Sequence, residues 1–289
     1  MDGPLSRPRH TLKVLGELVF AAIAPHGELA IPEACGPQDR ALAVATQEAM
    51  AELGARFYAA RPDSVIVLTP HNVHVERHLA VVTSATLAGT LEESVVPIQL
   101  RVPADRELAL GILDRLSAAL VPAVGVSFGG NVPAEAVMPM DWAVLIPLWF
   151  MGGRASPPVP TVVVAPARDL PPQEHLRAGK AILAAIQASD RRVALIASCD
   201  HGHAHRADGP YGFHPAAAEF DRQVVERLRD GDLAGVATLD ETLVADAKAD
   251  SWWQMLILHG ALGDGWRAHL LSYEVPTYFG MLCAAFSPS

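Results

Sequence analysis

Val65-Ile66-Val67-Leu68 is an apolar, mostly β-branched run that stops at Thr69-Pro70-His71. Such a run, bounded by a proline, reads as a buried strand. The same ending closes an earlier run, Leu18-Val19-Phe20-Ala21-Ala22-Ile23-Ala24, at Pro25-His26. In an α/β sheet the chemistry collects beyond the strand ends. A proline there removes a donor and fixes φ, and the imidazole that follows is carried into the crevice beyond the sheet. Two such tips, side by side, supply half of a metal site.

Outward from these tips, short β-branched runs alternate with longer amphipathic ones. This is the sequence form of a sheet covered by helices on both faces. Pro37 reads as the first residue of a helix whose apolar face runs through Leu42, Ala45, Ala49, Leu53 and Phe57 to about Ala60. Further strands are expected at 79–83, 123–128, 160–165, 192–198, 269–273 and 279–286, and helices at 105–120, 172–188, 216–228 and 251–262. Residues 142–150 read as a mostly buried segment. The expected fold is one α/β domain over residues 13–289, with a central mixed, mostly parallel sheet flanked by helices on both faces. Residues 1–12 read as a disordered lead-in.

Composition narrows the function. Of 289 residues, 51% are hydrophobic, enough for a sizeable core, and 22 Lys+Arg stand against 32 Asp+Glu for a net charge of -10. The basic residues are scattered, so nucleic acid is not an expected partner. No run approaches the roughly 20 apolar residues a bilayer needs, so no membrane is expected either. The 3 cysteines, Cys35, Cys199 and Cys283, are far apart and match no disulfide framework. A reducing, cytoplasmic location follows as the expectation. Neither a P-loop nor a dinucleotide-binding glycine pattern occurs.

The 12 histidines are clustered. His71, His74 and His78 form one group; His201, His203, His205 and His214 form another, beginning at the end of the strand expected over 192–198. A histidine in the second group suits a third ligand or a general base, and Asp200 suits either orienting an imidazole or capping a turn. His74 and His78 read as loop surface. Trp252 and Trp253 read as core or dimer contacts.

Ala24-Pro25-His26, Thr69-Pro70-His71-Asn72, Asp141-Trp142-Ala143-Val144-Leu145-Ile146-Pro147-Leu148, Ser198 to His203, and Gly212-Phe213 with Phe220-Asp221 stand in a fixed order along the chain. By these marks the chain, from His26 to Phe286, resembles the class III extradiol ring-cleavage dioxygenases of the protocatechuate 4,5-dioxygenase catalytic-subunit type. The resemblance implies Fe(II) held by two histidines and a carboxylate, with open positions for a catechol-type substrate and O2. Carried over by position, His26 and His71 would be the histidine ligands and His203 the acid/base residue. The family places a glutamate about 10 residues before a Gly-Ala-Leu in a helix; here Gly260-Ala261-Leu262 points back to Asp250 as the third ligand, with Asp246 in reserve, while Glu274 matches a non-ligand position but stays an alternative through its Tyr273-Glu274 setting. Trp142 stands where many members carry a histidine; the alternatives for it are a wall of the ring pocket and core packing. Asn72 and His201 are further candidates for the substrate pocket.

The same residues would also serve Zn2+ or Mn2+. A zinc hydrolase is therefore one alternative function, and a non-catalytic, Memo-like binding protein is another, for which Asp250 in place of glutamate and Trp142 in place of histidine would be the signs. A homo-oligomer is expected, and some members of the resembled family use a small partner subunit.

Overall fold

The computed structural model describes residues 15–92 and 94–289; the lead-in expected over 1–12 lies outside them. In chain order the elements are β1 (Glu17–Ala24), α1 (Val44–Ala60), β2 (Ser64–Leu68), β3 (Leu79–Val82), β4 (Thr86–Leu91), β5 (Ile98–Pro103), α2 (Arg106–Ala118), β6 (Ala123–Val126), β7 (Val137–Pro139) and α3 (Trp142–Phe150). There follow β8 (Thr161–Ala165), α4 (Pro172–Ala188), β9 (Arg192–Ser198), α5 (Pro215–Arg229), α6 (Glu241–Asp246), α7 (Trp252–Leu262), β10 (Trp266–Glu274) and β11 (Met281–Pro288). No helix among the described residues is long and apolar enough to cross a membrane.

Eight strands form one mixed sheet in the order β10-β11-β1-β9-β2-β8-β3-β6. Its centre, β1-β9-β2-β8, is parallel, and the antiparallel pairs lie at β8-β3 and at β1-β11-β10. Because side chains alternate along a strand, each central strand feeds two cores. Ile66 and Leu68 of β2, with Leu195 and Ala197 of β9, join α2, α4, α5 and α7 on one face. Val65, Val67 and Ile196 join α1 and α3 on the other. The α/β class with helices on both faces is thus what the chain forms.

Two expectations need correction. The Pro-His tips are not neighbours, because β9 lies between β1 and β2. The helix expected from Pro37 begins at Val44 after a short 3-10 turn over Asp39–Ala41, and Leu42 is exposed. A carboxylate distant in sequence supports that start: Glu274 Oε1 accepts the Thr46 N–H at 2.7 Å. The reading also passed over a second sheet, β5-β4-β7, which packs under α3 through Leu87, Ile98, Val102 and Met138.

Candidate metal centre

The parallel strands β1, β9 and β2 end on the same edge, with Ala24 level with Ser198 and Leu68 level with Ala197. Just beyond those ends come His26, Asp200 and His71. Asp250 arrives from the other direction, at the entrance to α7. Gln254, buried in the first turns of α7, donates through Nε2 to the Asp250 carbonyl at 2.6 Å and the Ser198 carbonyl at 3.1 Å. One amide therefore ties Asp250 to the tip of β9.

Asp250 Oδ2 lies 3.6 Å from His26 Nε2 and 3.5 Å from His71 Nε2. The two imidazoles meet edge to face, centroids 5.2 Å apart. Donor atoms of His26, His71 and Asp250 all lie within 4.8 Å of one another. Asp200 holds His26 from behind, accepting its backbone N–H at 3.0 Å, with its other oxygen 3.4 Å from Nε2.

The Ser198 hydroxyl donates to the Ala143 carbonyl at 2.6 Å and lies 3.0 Å from His26 Nδ1. His203 Nε2 is 4.0 Å from Asp250 Oδ2. The His203 ring stacks on Phe279 at 5.2 Å, its Nδ1 lies 2.7 Å from the His201 carbonyl, and its backbone N–H bonds Ala247 O at 2.8 Å.

Charge follows from this packing. Burial opposes protonation of His26, but the Asp200 and Asp250 carboxylates outweigh it and lift the imidazole to about 9. Burial and the His26 charge push His71 down to about 4. For Asp250 burial works upward, yet the imidazoles around it hold its carboxyl below the usual range. Without a metal, a proton on His26 sits where a cation is called for.

The donor set fits a divalent ion. Two imidazole nitrogens and a carboxylate converge, and Asp250 Oδ1 is buried without a hydrogen-bond partner. Two histidines and one carboxylate beside a cavity are a donor set used by non-haem Fe(II) and by catalytic Zn2+ sites alike. That cavity, of about 1140 Å³, is lined by His26, His71, His203, Asp250, Trp142 and Phe279 among others.

The family profile described as the catalytic LigB subunit of aromatic ring-opening dioxygenase matches residues 20–284. The chain belongs to the LigB family. The match spans every residue of the site just described. Protein CA_C1420 of Clostridium acetobutylicum is 24% identical over 257 residues, which are 87% of this chain and 54% of that protein. The chain thus spans about half the length of that curated relative. The crystal structure of the uncharacterized protein JW3007 from Escherichia coli K12 has the same fold, with a TM-score of 0.61 at 17% identity, over 92% of this chain and 99% of that one.

Within this LigB fold the residues singled out from sequence are distributed as follows. His26, His71, His203 and Asp250 come together. Asp246, the last residue of α6, and Glu274, which caps α1, stay outside the cluster. Trp142 is 49% exposed and its indole lies 4.6 Å from the His71 ring, so it walls the cavity rather than the core.

Asn72 and His201 are not among the lining residues. The Asn72 amide is committed to the Pro139 carbonyl at 2.9 Å, and His201 is fully buried against Ser251 Oγ at 3.1 Å. Trp252 is core, its Nε1 donating to Val236 O, whereas Trp253 lines the cavity. Cys199 is buried with its thiol pushed well up by burial, which makes it a poor nucleophile.

The sequence reading missed Ser198 and Gln254 as supports. A single amide within the apolar run Trp252-Trp253-Gln254-Met255-Leu256-Ile257-Leu258 was the available signal for Gln254, since buried polar groups need partners.

Proposed function

We propose that this LigB-family chain is a non-haem Fe(II) extradiol dioxygenase that opens the ring of a catechol-type substrate. The observation that carries the reading is the convergence of His26, His71 and Asp250 on a cavity with aromatic walls. His26, His71 and Asp250 would hold the ion, with the cavity side left for substrate and O2. The chemistry such an ion supplies is the passage of electron density from a chelated diol to O2 without an external reductant. In the net reaction one ring C–C bond beside the diol breaks, both oxygen atoms enter the product, and the ring supplies the electrons.

The chain's own residues do the rest. The His201 carbonyl takes the Nδ1–H of His203, which leaves Nε2 as the acceptor facing the site. There His203 receives a phenolic proton as the diol binds and returns it as the ring opens. Phe279 beneath the imidazole fixes its plane, and Tyr211 meets its edge at 5.7 Å. Trp142 covers His71 and presents an aromatic wall to the ring. With a tryptophan in place of the second histidine, His203 alone carries the proton transfers. Three free, buried cysteines suit a reducing cytoplasm, and self-association is the expected state.

The test is product mass under 18O2 with Fe(II)-loaded and, separately, Zn2+-loaded protein. Two labelled oxygens in an opened ring, with iron only, are expected. Turnover of an ester or amide with zinc and indifference to O2 would replace this reading with a hydrolase.

A further inference from the structure

The Nε2 edge of His203 faces Asp250 because its other nitrogen is bound to the chain it belongs to, Nδ1 donating to the His201 carbonyl at 2.7 Å. That carbonyl is one half of the peptide joining His201 to Gly202. The N–H of the same peptide, on Gly202, donates the opposite way to Asp221 Oδ1, also at 2.7 Å. A trans peptide is planar and rigid, so a carboxylate fixed on one side of it sets the direction of the carbonyl on the other. Asp221 and the His203 ring are the two ends of one hydrogen-bond chain with a single peptide between them.

Asp221 is mounted to hold that end still. It projects from α5 into the interior, where it is buried and where its charge is met by three donors. Oδ1 takes the Gly202 N–H, while Oδ2 takes the Tyr273 hydroxyl at 2.7 Å and lies 2.8 Å from His205 Nε2. Burial and the Asp221 charge push the Tyr273 hydroxyl up, so the phenol keeps its proton and stays a donor.

Glycines close the space around the carboxylate. A Cβ on Gly280 would stand 2.1 Å from Asp221 Oδ2, and one on Gly202 would stand 2.9 Å from the Ala217 backbone of the same helix. The two glycine segments are also tied to each other, Gly280 N–H to the Gly202 carbonyl at 3.1 Å and His201 N–H to the Gly280 carbonyl at 2.9 Å. Phe279, the ring stacked on His203, immediately precedes Gly280. One carboxylate thus anchors both the segment that carries the imidazole and the segment that carries its stacking partner.

We propose that Asp221 is a positioning residue for His203, acting through the His201-Gly202 peptide to keep the ring proton on Nδ1 and Nε2 turned to the metal centre. A carboxylate that accepts the peptide N–H polarises the peptide and makes its carbonyl a stronger acceptor. Asp221 is not among the residues lining the cavity, so it acts on the site through the groups it holds. The acid/base use of His203 rests on the ring-cleavage reading above; the hydrogen-bond chain does not.

The experiment is long-range 1H–15N correlation of the histidine rings in Zn2+-loaded, diamagnetic protein, with Asp221→Asn and Tyr273→Phe. In the unaltered protein His203 is expected as one tautomer, protonated on Nδ1, with the Gly202 amide among the most protected from hydrogen exchange. Asp221→Asn keeps the size of the side chain but exchanges a charge-assisted bond for a neutral one about half as strong, so a second His203 tautomer should appear at about a tenth or more of the signal. Tyr273→Phe leaves Oδ1 on Gly202 and should leave His203 as it was. A single tautomer retained in Asp221→Asn, an equal disturbance in Tyr273→Phe, or, should Asp221→Asn fail to fold, a rapidly exchanging Gly202 amide in the unaltered protein would overturn the proposal.

Turnover, measured separately with Fe(II), keeps the two ideas apart. Under the ring-cleavage reading Asp221→Asn should lower kcat about tenfold while KM and iron content hold. A disturbed tautomer in a protein that turns over no catechol leaves the role of Asp221 standing and removes ring cleavage; full turnover with an undisturbed tautomer in Asp221→Asn does the reverse.

Discussion

Ser198 Oγ lies 3.0 Å from His26 Nδ1, and the single proton of that hydroxyl is already committed to the Ala143 carbonyl. Ser198 can therefore only accept, so Nδ1 of His26 carries a proton and Nε2 is the nitrogen turned toward Asp250. Ser198→Ala should lower metal affinity about tenfold or more, measured by competition with a chromophoric chelator. It also strands the Nδ1–H and the Ala143 carbonyl in a buried place, at about 1–3 kcal/mol of stability, read by denaturant titration. Unchanged metal affinity would mean that Ser198 has no part in setting His26.

The pH dependence of the metal-free protein follows from the two histidines. His26, lifted from 6.5 to about 9, contributes stability that is fully present below 6.5 and is lost as pH rises through 9. His71, lowered from 6.5 to about 4, acts on the other side, because the unfolded chain binds its proton first and stability falls as pH drops from 6.5 toward 4. Thermal melts in chelator should therefore be highest near pH 6.5 from this pair. Loading a metal expels the His26 proton, so apparent affinity should climb about tenfold per pH unit up to about 9. A flat affinity profile would contradict that proton's place in the site.

Three carboxylates considered as third ligand sit in different surroundings, Asp250 beside His26 and His71, Asp246 at the end of α6 and Glu274 at the first turn of α1. Asp250→Asn should remove metal binding, as seen by metal content after dialysis. Asp246→Asn should leave both binding and stability unchanged within about 0.5 kcal/mol. Glu274→Gln should retain the metal and lose about 0.5–2 kcal/mol, the usual worth of a helix cap, because Glu274 serves the first turn of α1. Metal loss in Glu274→Gln rather than Asp250→Asn would reverse the assignment.

Trp142 stands half in solvent against His71. Trp142→Ala should move the melting temperature little and raise KM for a catechol several-fold, with metal content intact. A large loss of stability would instead place the indole in the core.

Much of the fold was legible because the central strands are buried on both faces and read as unbroken apolar runs, Val65 to Leu68 and Val193 to Ala197 among them. His26, His71 and His203 announced themselves by following such runs. What was missed is non-local. Nothing near β1 or β2 records that β9 lies between them. Pro37 imitates a helix start, while the carboxylate that supports the true one comes from Glu274.

Strand β5 does alternate buried and exposed residues, but β4 is half exposed, and Gly89 interrupts it where a Cβ would strike the Met140 carbonyl at 2.2 Å.

The most direct test is oxygen uptake by anaerobically Fe(II)-loaded protein mixed with protocatechuate, alongside His26→Ala, His203→Ala and Asp250→Asn. The account predicts one O2 consumed per substrate with a yellow ring-opened product. It also predicts that His26→Ala and Asp250→Asn lose both iron and activity, and that His203→Ala keeps iron but loses turnover. Iron bound at one per chain with no uptake on any catechol, or uptake that persists in Asp250→Asn, would contradict it.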